Sequence, residues 1–282
     1  MKTFWLVSYP KSGNTWFRVF LSNLLHPERS PVDPNNLPIK NLIASARSPF
    51  HEIVGVPPSL LIPAEYDDLR PAVDRVIGRD WPSAPCLRKA HDAYTYLPDG
   101  RPLMGESPDF AAIYILRNPW DVAVSASNHW ATTVEKTVDI MCRDDSVLDG
   151  RKDRITTQLR QRLLSWSGHA ESWLNAPLDL CFLRYEDMHF KPLETFRRAA
   201  QFLELQASDE QIETAIAASR FERLQRIERE RGFREAPASR AFFRSGKVGA
   251  GRDLLSASDR RRLAQENDIV DQVLRRRFGG AE

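Results

Sequence analysis

Short apolar runs alternate along this chain with segments whose apolar residues recur at helical spacing. Residues 4–8 form a run of aromatic and branched side chains, and residues 15–25 follow with Trp16, Phe20 and Leu24 on one helical face. Buried strands of parallel sheets read as short apolar runs, so this beginning predicts a strand, a tight loop and a helix. Many α/β domains are built from such units.

Three later segments repeat the pattern of an apolar run that ends in polar residues. They are residues 84–91, 112–116 and 179–188. Each precedes a helix or a basic loop, and this order favours parallel strands with helices on the faces of the sheet. The sequence therefore predicts the α/β fold class, with one domain over residues 1–282 and a central parallel sheet flanked by helices.

The remaining segments have a helical or an irregular pattern. Helices are predicted after residue 118, over residues 154–176, near residues 192–205 and 209–219, and near residues 257–278. Prolines are frequent in residues 26–80, which predicts loops and short helices there. The polar residues 132–153 are interpreted as a mobile lid, and residues 241–253 as a glycine-rich basic loop.

The composition narrows the classes of function. The chain has 282 residues, of which 42% are hydrophobic and 28% charged, and its net charge is +2. These values are typical of a globular protein with a packed core, and the near-neutral charge argues against a general nucleic-acid binder. A local anion pocket stays open, because a pocket needs only a few well-placed cations.

The sequence also bears on location. Cys86, Cys142 and Cys181 are widely spaced and form neither a C-x-x-C pair nor a metal-binding spacing, which is typical of free thiols in a reducing compartment. The apolar run at the N-terminus is too short for a signal peptide, and no stretch is long enough to span a membrane. We therefore expect a cytoplasmic protein without stable membrane insertion.

The stretch "YPKSGNTW", residues 9–16, has the composition of a phosphate-binding loop. Backbone N–H groups at the start of a helix bind anions, and Gly13 allows close approach. Lys11 adds a positive charge. The common pattern G-x-x-x-x-G-K-[ST] is absent, since Ser8 and Asn14 stand at its first glycine and its lysine. The loop predicts a P-loop-like nucleotide-binding core, but for a different anion from the one that the common pattern binds.

Polar side chains stand where each predicted strand ends: Lys11, Lys89, His91, Arg117 and Tyr185. Ligands of parallel sheets bind outside the carboxyl ends of the strands, so we expect these side chains to share one site. Residues two apart in an extended chain point to the same side, which would bring Lys89 and His91 together.

At this point the sequence resembles a known family. "YPKSGNTW" is similar to the 5′-phosphosulfate-binding loop of sulfotransferases that use 3′-phosphoadenosine 5′-phosphosulfate (PAPS). The segments "LRKAHDAY", "YILRNPWDVAVSASNHW" and "FFRSGKVGAGRD" match further family motifs, so the resemblance covers about residues 4–253. It implies PAPS as co-substrate and sulfuryl transfer to a hydroxyl or amine of a small-molecule acceptor. We expect no metal, because the sequence has no obvious carboxylate cluster for one.

The resemblance also implies roles for single residues. The first loop would bind the phosphosulfate through Lys11, Ser12, Gly13, Asn14 and Thr15, and Trp16 at its end would stack on the adenine. The 3′-phosphate would be bound by Arg117 and Ser125, and by Arg244, Ser245 and Gly246 of the C-terminal loop. Ser245 stands where the family has a lysine, and whether Lys247 replaces it is left open; Ala250 and Gly251 also depart from the family pattern.

The catalytic group implied by the resemblance consists of Lys11, Lys89, His91 and Ser125, with His91 as the general base. Tyr185, Ser219 and Phe221 match fainter motifs on the adenine side, where ordinary packing is the alternative interpretation. The other five histidines have no comparable context, although His129 lies on the helix that follows Arg117.

Two other functions are weighed against this one. A P-loop nucleotide kinase or NTPase would need the missing G-K-[ST] and a strand with a magnesium-binding aspartate. A catalytically idle PAPS-binding protein would not need Lys11, Lys89 and His91 together. The sequence leaves open the identity of the acceptor (a small alcohol, a phenol, a sugar or a lipid head group). The oligomeric state is also open, a homodimer included.

Overall fold

The computed structural model describes residues 2–39, 43–81, 85–149, 156–236 and 240–278. Part of the predicted lid and the first residues of the helix predicted over 154–176 lie outside these ranges. So does residue 84, at the start of a predicted strand.

A four-stranded parallel sheet forms the centre of the described chain, with the strand order β2-β1-β3-β6. Its strands are β1 (Thr3–Ser8), β2 (Cys86–Ala90), β3 (Phe110–Leu116) and β6 (Asp179–Arg184). A second, antiparallel pair consists of β4 (Val147–Leu148) and β5 (Gln161–Arg162). The predicted parallel sheet flanked by helices is confirmed.

Helices follow the strands and cover both faces of the sheet. They are α1 (Asn14–Leu25), α2 (Arg47–Val54), α3 (Pro63–Arg79), α4 (Pro119–His129), α5 (Val134–Met141), α6 (Trp166–Leu174), α7 (Tyr185–Phe190), α8 (Pro192–Phe202), α9 (Asp209–Ala218), α10 (Phe221–Arg231) and α11 (Ala257–Phe278). Several begin as their sequences predict. The Asn118 side chain accepts a hydrogen bond from Trp120 N at the start of α4, and Ser208 forms a capping box with Gln211 in α9.

Two apolar cores lie on opposite faces of the sheet because alternate residues of each strand point to opposite sides. Phe4 and Leu6 of β1 belong to one cluster, which includes Phe17 and Phe20 of α1 and Phe196 of α8. Trp5 and Val7 belong to the other, which includes Tyr114 of β3 and Trp166 and Trp173 of α6. The sheet is therefore buried on both sides, and its open region is the edge where the strands end.

The prediction of a helix over residues 154–176 is wrong for the first half of that range. Helix α6 begins only at Trp166, and the described residues 156–165 before it contain the short strand β5 and no helix. Their backbone groups pair with neighbouring segments: Leu159 N donates to Ser45 O at 2.6 Å, and Ala93 N donates to Arg162 O at 2.6 Å. These tertiary hydrogen bonds replace the ones a helix would make.

Other element predictions also need correction. The interval 132–153 is not a lid throughout its described part, since Val134–Met141 is a helix whose Val138 and Met141 are buried. The interval 26–80 contains a helix of 17 residues, Pro63–Arg79. The last predicted strand ends at Arg184, and helix α7 follows. The prediction of a single domain over residues 1–282 stays a prediction.

Helix α3 is fixed to the outer strand β2 by buried ion pairs. Arg88 Nη2 lies 2.6 Å from Asp74 Oδ1, and both side chains are almost fully buried. Arg70 of the same helix donates two hydrogen bonds to Asp92, which directly follows His91. A buried charge that loses its partner is strongly destabilising, so this contact also supports the strand that carries Lys89.

We predict that Asp74→Ala lowers the free energy of unfolding by about 3 kcal/mol, because it leaves Arg88 buried with less counter-charge. Chemical denaturation followed by circular dichroism measures this change. Asp80→Ala is the matched control, since the Asp80 pair with Arg79 lies on the surface and should contribute little. Equal midpoints for wild type and Asp74→Ala would contradict the prediction.

Candidate active site

The first loop joins β1 to α1 and contains two residues in the left-handed region. The φ angle is 70° at Lys11 and 101° at Gly13. A Cβ atom on Gly13 would lie 2.6 Å from Cδ2 of Tyr185, so only glycine fits between the loop and that ring. The first N–H groups of a helix have no acceptor within it, and here they lie beside this loop. The loop and α1 thus form a candidate anion site.

Lys11 is buried at this site without a hydrogen-bond acceptor. Its Nζ lies 3.1 Å from the centroid of the Phe242 ring and has no hydrogen-bond partner among the described residues. Burial lowers the pKa of Lys11 to about 7, Glu235 acts against this shift and Arg117 adds to it. An aromatic face compensates only part of the lost hydration of an ammonium group, so an anion bound here would gain a strong partner.

Arg117 directly follows β3 and connects two loops. Its Nη1 donates to Lys11 O at 3.0 Å, and its Nη2 donates to Lys247 O at 3.2 Å. The guanidinium carbon lies 4.1 Å from the centroid of the Tyr185 ring. Arg117 therefore holds the first loop and the C-terminal loop on either side of one cleft.

Residues 244–251, called the glycine loop below, are held by the start of α4. The carboxylate of Asp121 accepts hydrogen bonds from Gly249 N at 2.8 Å and from Gly251 N at 2.7 Å. Tyr185 donates its hydroxyl to Gly246 O at 3.1 Å. A Cβ atom on Gly246 would lie 2.6 Å from the Phe221 ring, so that ring packs directly against the loop. Sequence reasoning missed Asp121, whose only signal is an acidic residue in the first turn of a helix.

Lys89 and His91 lie where β2 ends and both line the same cavity. His91 Nδ1 lies 2.7 Å from Ser8 O at the end of β1. A carbonyl oxygen only accepts, so Nδ1 carries the proton and Nε2 is left as the basic nitrogen. Burial lowers the pKa of His91 well below its usual range, and the nearby Lys89 adds to the shift. Burial also lowers the pKa of Lys89 to about 8.

A second histidine fixes the backbone of the first. His169 of α6 is fully buried, and its Nε2 lies 3.2 Å from His91 O. Its Nδ1 lies 2.9 Å from the hydroxyl of Tyr114, so the ring donates to one partner and accepts from the other. Burial lowers the pKa of His169 to about 4, which keeps the ring neutral. The sequence left His169 unassigned, because nothing along the chain links residue 169 to residue 91.

Glu235 is an unexpected carboxylate in the same place. It accepts hydrogen bonds from Thr15 Oγ1 at 3.2 Å and from Arg18 Nη2 at 2.8 Å. Burial acts to raise the pKa of Glu235, but Arg18, Lys89 and these hydrogen bonds outweigh it, and the pKa lies below the usual range. Glu235 is therefore a full negative charge that offsets part of the positive charge of the site. No pattern in the sequence predicts it.

One cavity of about 670 Å³ joins these groups. It brings together most of the predicted site residues, namely Lys11, Gly13, Asn14, Thr15, Trp16, Lys89, His91, Arg117, Ser125, Tyr185, Phe221, Arg244, Ser245 and Gly246. Residues that sequence reasoning did not assign also line it, among them Asp121, Gln158, Gln161, Asp149, Glu235 and Phe242.

Two predicted residues do not line the cavity. Ser219 is fully buried at the end of α9, and its hydroxyl donates to Ile216 O at 3.0 Å. It has the role of a helix cap in this structure. Ser12 is also buried, and its Oγ has no hydrogen-bond partner among the described residues. It lies between Lys11 and Gly13 in the first loop.

Two features of the described ranges bear on cofactors and membranes. Within them, no group of three or more histidine, cysteine, aspartate or glutamate side chains has the arrangement to hold a metal ion. No helix in this part of the chain has the length and apolar character needed to cross a membrane.

We predict that His91 is neutral at about pH 6 with its proton on Nδ1, because burial lowers its pKa and Ser8 O accepts from that nitrogen. Long-range ¹H–¹⁵N NMR of the imidazole rings measures both features, and the His91→Asn variant identifies the signal by its loss. A doubly protonated ring at this pH, or a proton on Nε2, would show the geometry to be wrong.

Comparison with protein families gives a match over nearly the whole chain. The family model described as "Sulfotransferase domain" matches residues 1–273. Cytosolic sulfotransferase 12 of Arabidopsis thaliana is 26% identical over 290 aligned residues, which cover 98% of this chain and 77% of the relative. Cytosolic sulfotransferase 16 of the same plant is 28% identical, with 87% of this chain and 69% of the relative covered.

Two solved structures share the fold of this chain. Retinol dehydratase, in complex with androsterone and the inactive cofactor PAP, aligns with a TM-score of 0.62 and 19% identity over 97% of this chain and 81% of that one. Mouse sulfotransferase SULT7A1, complexed with PAP, aligns with a TM-score of 0.54 and 18% identity over 100% of this chain and 86% of that one. At these identities the likeness concerns the fold.

Proposed function

The chain belongs to the sulfotransferase domain family, and on this premise we propose how the residues of its cavity perform the reaction. The protein is a PAPS-dependent sulfotransferase, which moves a sulfuryl group from PAPS to a small-molecule acceptor and leaves adenosine 3′,5′-bisphosphate, PAP. One observation carries the assignment of roles. Lys11, Lys89 and Arg117 come from three neighbouring strand ends and line one cavity with the base His91.

The first loop fits the phosphosulfate end of PAPS. Support comes from Lys11, which lines the cavity and whose buried Nζ has no hydrogen-bond partner among the described residues, and from the close approach of Gly13 to Tyr185. Asn14 and Thr15 open helix α1, where the helix dipole favours an anion. In this proposal the Thr15 hydroxyl leaves Glu235 when PAPS binds, because the phosphosulfate and the Glu235 carboxylate compete for the same hydroxyl donor.

The other end of the nucleotide is assigned to the glycine loop. Arg117, Ser125, Arg244, Ser245 and Gly246 line the cavity there and would hold the 3′-phosphate. Lys247 lines the cavity too. It is a candidate to replace the positive charge that is missing because position 245 is a serine. The adenine is assigned to Trp16, Tyr185 and Phe221, which offer aromatic faces. Ser219 is left out of this group because its hydroxyl caps α9.

The chemical step needs a base and a cation. His91 Nε2 takes the proton of the acceptor hydroxyl, and the freed oxygen forms a bond to sulfur. The bond between sulfur and the phosphate oxygen breaks, and its electron pair stays on that oxygen of PAP. Lys11 stabilises this developing charge, while Lys89 neutralises the sulfuryl oxygens. Lys11 lies inside the loop, close to the oxygen that bridges phosphorus and sulfur in this proposal. This explains why the lysine is at position 11 and not at position 14, where the triphosphate-binding pattern has it.

A cytoplasmic location is part of the proposal. It is supported by the names of the plant relatives, which are cytosolic sulfotransferases. Recovery of the protein in the membrane pellet after cell fractionation would contradict it.

We predict that Lys11→Ala and His91→Ala each lower kcat/KM by about 10²- to 10³-fold, the usual size of losses of a charge-stabilising group or a general base. Transfer of ³⁵S from labelled PAPS to a panel of phenol, sugar and amino-sugar acceptors measures the rate. Lys2→Ala is the matched control, because Lys2 pairs with Asp179 far from the cavity lining. Near-wild-type turnover in either active-site variant would refute its role.

Magnesium-dependent ATP turnover without ³⁵S transfer would favour a nucleotide kinase, and tight PAP binding without transfer would favour an idle binder.

A second prediction follows from the lowered pKa values of the two lysines. Lys11 and Lys89 have pKa values of about 7 and about 8 in the free protein, so both are partly neutral in mildly basic solution. PAP binding favours their charged forms and should take up protons at about pH 8.5. The affinity for PAP should fall as the pH rises through this region, by up to about tenfold per pH unit for each proton taken up.

Isothermal titration calorimetry in buffers of different ionisation enthalpy measures this uptake. Lys11→Met should take up fewer protons than wild type at the same pH. The comparison between the two proteins removes the contribution of the phosphate groups of PAP, which is common to both. Equal uptake would mean that Lys11 is already charged in the free protein.

A further inference from the structure

One side of the cavity is built by segments that the assigned roles do not use. Ala44 N donates to Lys89 O at 2.9 Å, and Ala46 pairs with Gln158 in an antiparallel bridge. Strands β4 and β5 pair alongside. These hydrogen bonds attach the segments to the end of β2, next to Lys89. We call the cavity-lining residues that they supply the acceptor wall: Ile43, Leu148, Asp149, Thr157, Gln158 and Gln161.

The acceptor wall offers hydrogen-bond acceptors and no aromatic face. Gln161 is only 2% exposed, and its Oε1 has no hydrogen-bond partner among the described residues. The amide is held from its other end, since Nε2 donates to Gln158 Oε1 at 3.4 Å and Ser45 donates to the same oxygen at 2.7 Å. A buried carbonyl oxygen without a donor is expensive, so a bound molecule that donates to it gains affinity.

A carboxylate adds to this preference. Asp149 lies on the acceptor wall with a left-handed φ of 52°, and its charge acts to raise the pKa of Lys89 against the effect of burial. A carboxylate accepts hydrogen bonds and attracts cations, and it repels a phenolate or a carboxylate. Of the six wall residues, only Ile43 and Leu148 are apolar. The chemistry of the wall therefore suits a hydrophilic molecule better than a flat apolar one.

We propose, building on the sulfotransferase function above, that the acceptor is a small hydrophilic molecule with several hydrogen-bond donors, of the sugar or amino-sugar kind. One hydroxyl faces His91 and gives up its proton to Nε2 while its oxygen bonds to sulfur. Other donors of the molecule bind Gln161 Oε1 and the Asp149 carboxylate. An ammonium group on the acceptor would be held by Asp149, and a neutral sugar would rely on Gln161.

The test measures ³⁵S transfer from labelled PAPS to four acceptors: glucose, glucosamine, 4-nitrophenol and a 3-hydroxysteroid. We expect kcat/KM for at least one of the two sugars to exceed that for the phenol and the steroid by about tenfold or more, since unpaired polar groups in a site reject acceptors that lack matching donors. Preference for glucosamine over glucose would show that the Asp149 charge selects an amine, and equal use would assign recognition to the hydroxyl groups alone.

Variants of the acceptor wall then test the residues. Gln161→Leu should lower the ratio of sugar to phenol kcat/KM by about tenfold, because it removes the oxygen that a sugar would need and the phenol would not. Gln161→Glu keeps an oxygen there and should retain most of that ratio. Asp149→Asn should lower the ratio of glucosamine to glucose. Gln201→Leu, on the exposed surface of α8, is the matched control and should leave every ratio unchanged.

Each outcome separates this proposal from the function on which it rests. A protein that binds PAP but uses only the phenol or the steroid, or neither sugar, would overturn the acceptor class. So would a Gln161→Leu variant that loses activity on all acceptors in equal proportion. Failure to bind PAP together with absence of ³⁵S transfer to any acceptor would instead overturn the assignment of roles in the cavity.

Discussion

The central strand β1 and the loop that follows it provide the two backbone oxygens on which the site is built. Ser8 O, at its end, accepts from the ring of His91, which follows the neighbouring strand β2. Lys11 O, in the next loop, accepts from Arg117, which follows the other neighbour β3. The parallel register, with Val7 opposite Ala90 and Ser8 opposite Ile115, brings all three strand ends to the same level. The positions of His91 and Arg117 therefore depend on the register of the sheet together with these two side-chain hydrogen bonds.

This construction collects positive charge in a buried place. Lys89 and Arg117 are buried, and the Nζ atom of the half-buried Lys11 is enclosed as well. Burial lowers the pKa of both lysines towards neutrality. Glu235 offsets part of the charge through Arg18 and Thr15. A site that holds cations at a cost in hydration gains most when a multiply charged anion enters it, because each buried charge then acquires a partner. The same balance explains why the affinity for PAP should be linked to the protonation of Lys11 and Lys89.

The sequence predicted the parts of this arrangement that depend on local patterns. The β1 loop, the positions of Lys89 and Arg117 at strand ends, and the closing helix Ala257–Phe278 all follow from apolar periodicity and loop chemistry. What it missed depends on tertiary contacts. The residues before α6 look helical because Leu159 and Leu163 have helical spacing, but their backbone pairs with residues far along the chain. Glu235 and His169 reach the site only through the fold, and no local signal marks them.

The glycine loop shows how a departure from the family pattern can be compensated within one chain. Gly251 is one of the positions that depart from the motif the sequence resembles, and a Cβ atom there would lie 2.4 Å from the carbonyl carbon of Trp120. The loop backbone therefore lies directly on α4, close enough for the Asp121 carboxylate to accept from Gly249 N and Gly251 N. Arg117 fixes the same loop from the other side through Lys247 O. The main chain of the loop is thus held from two sides along the cavity lining without a large side chain at position 251.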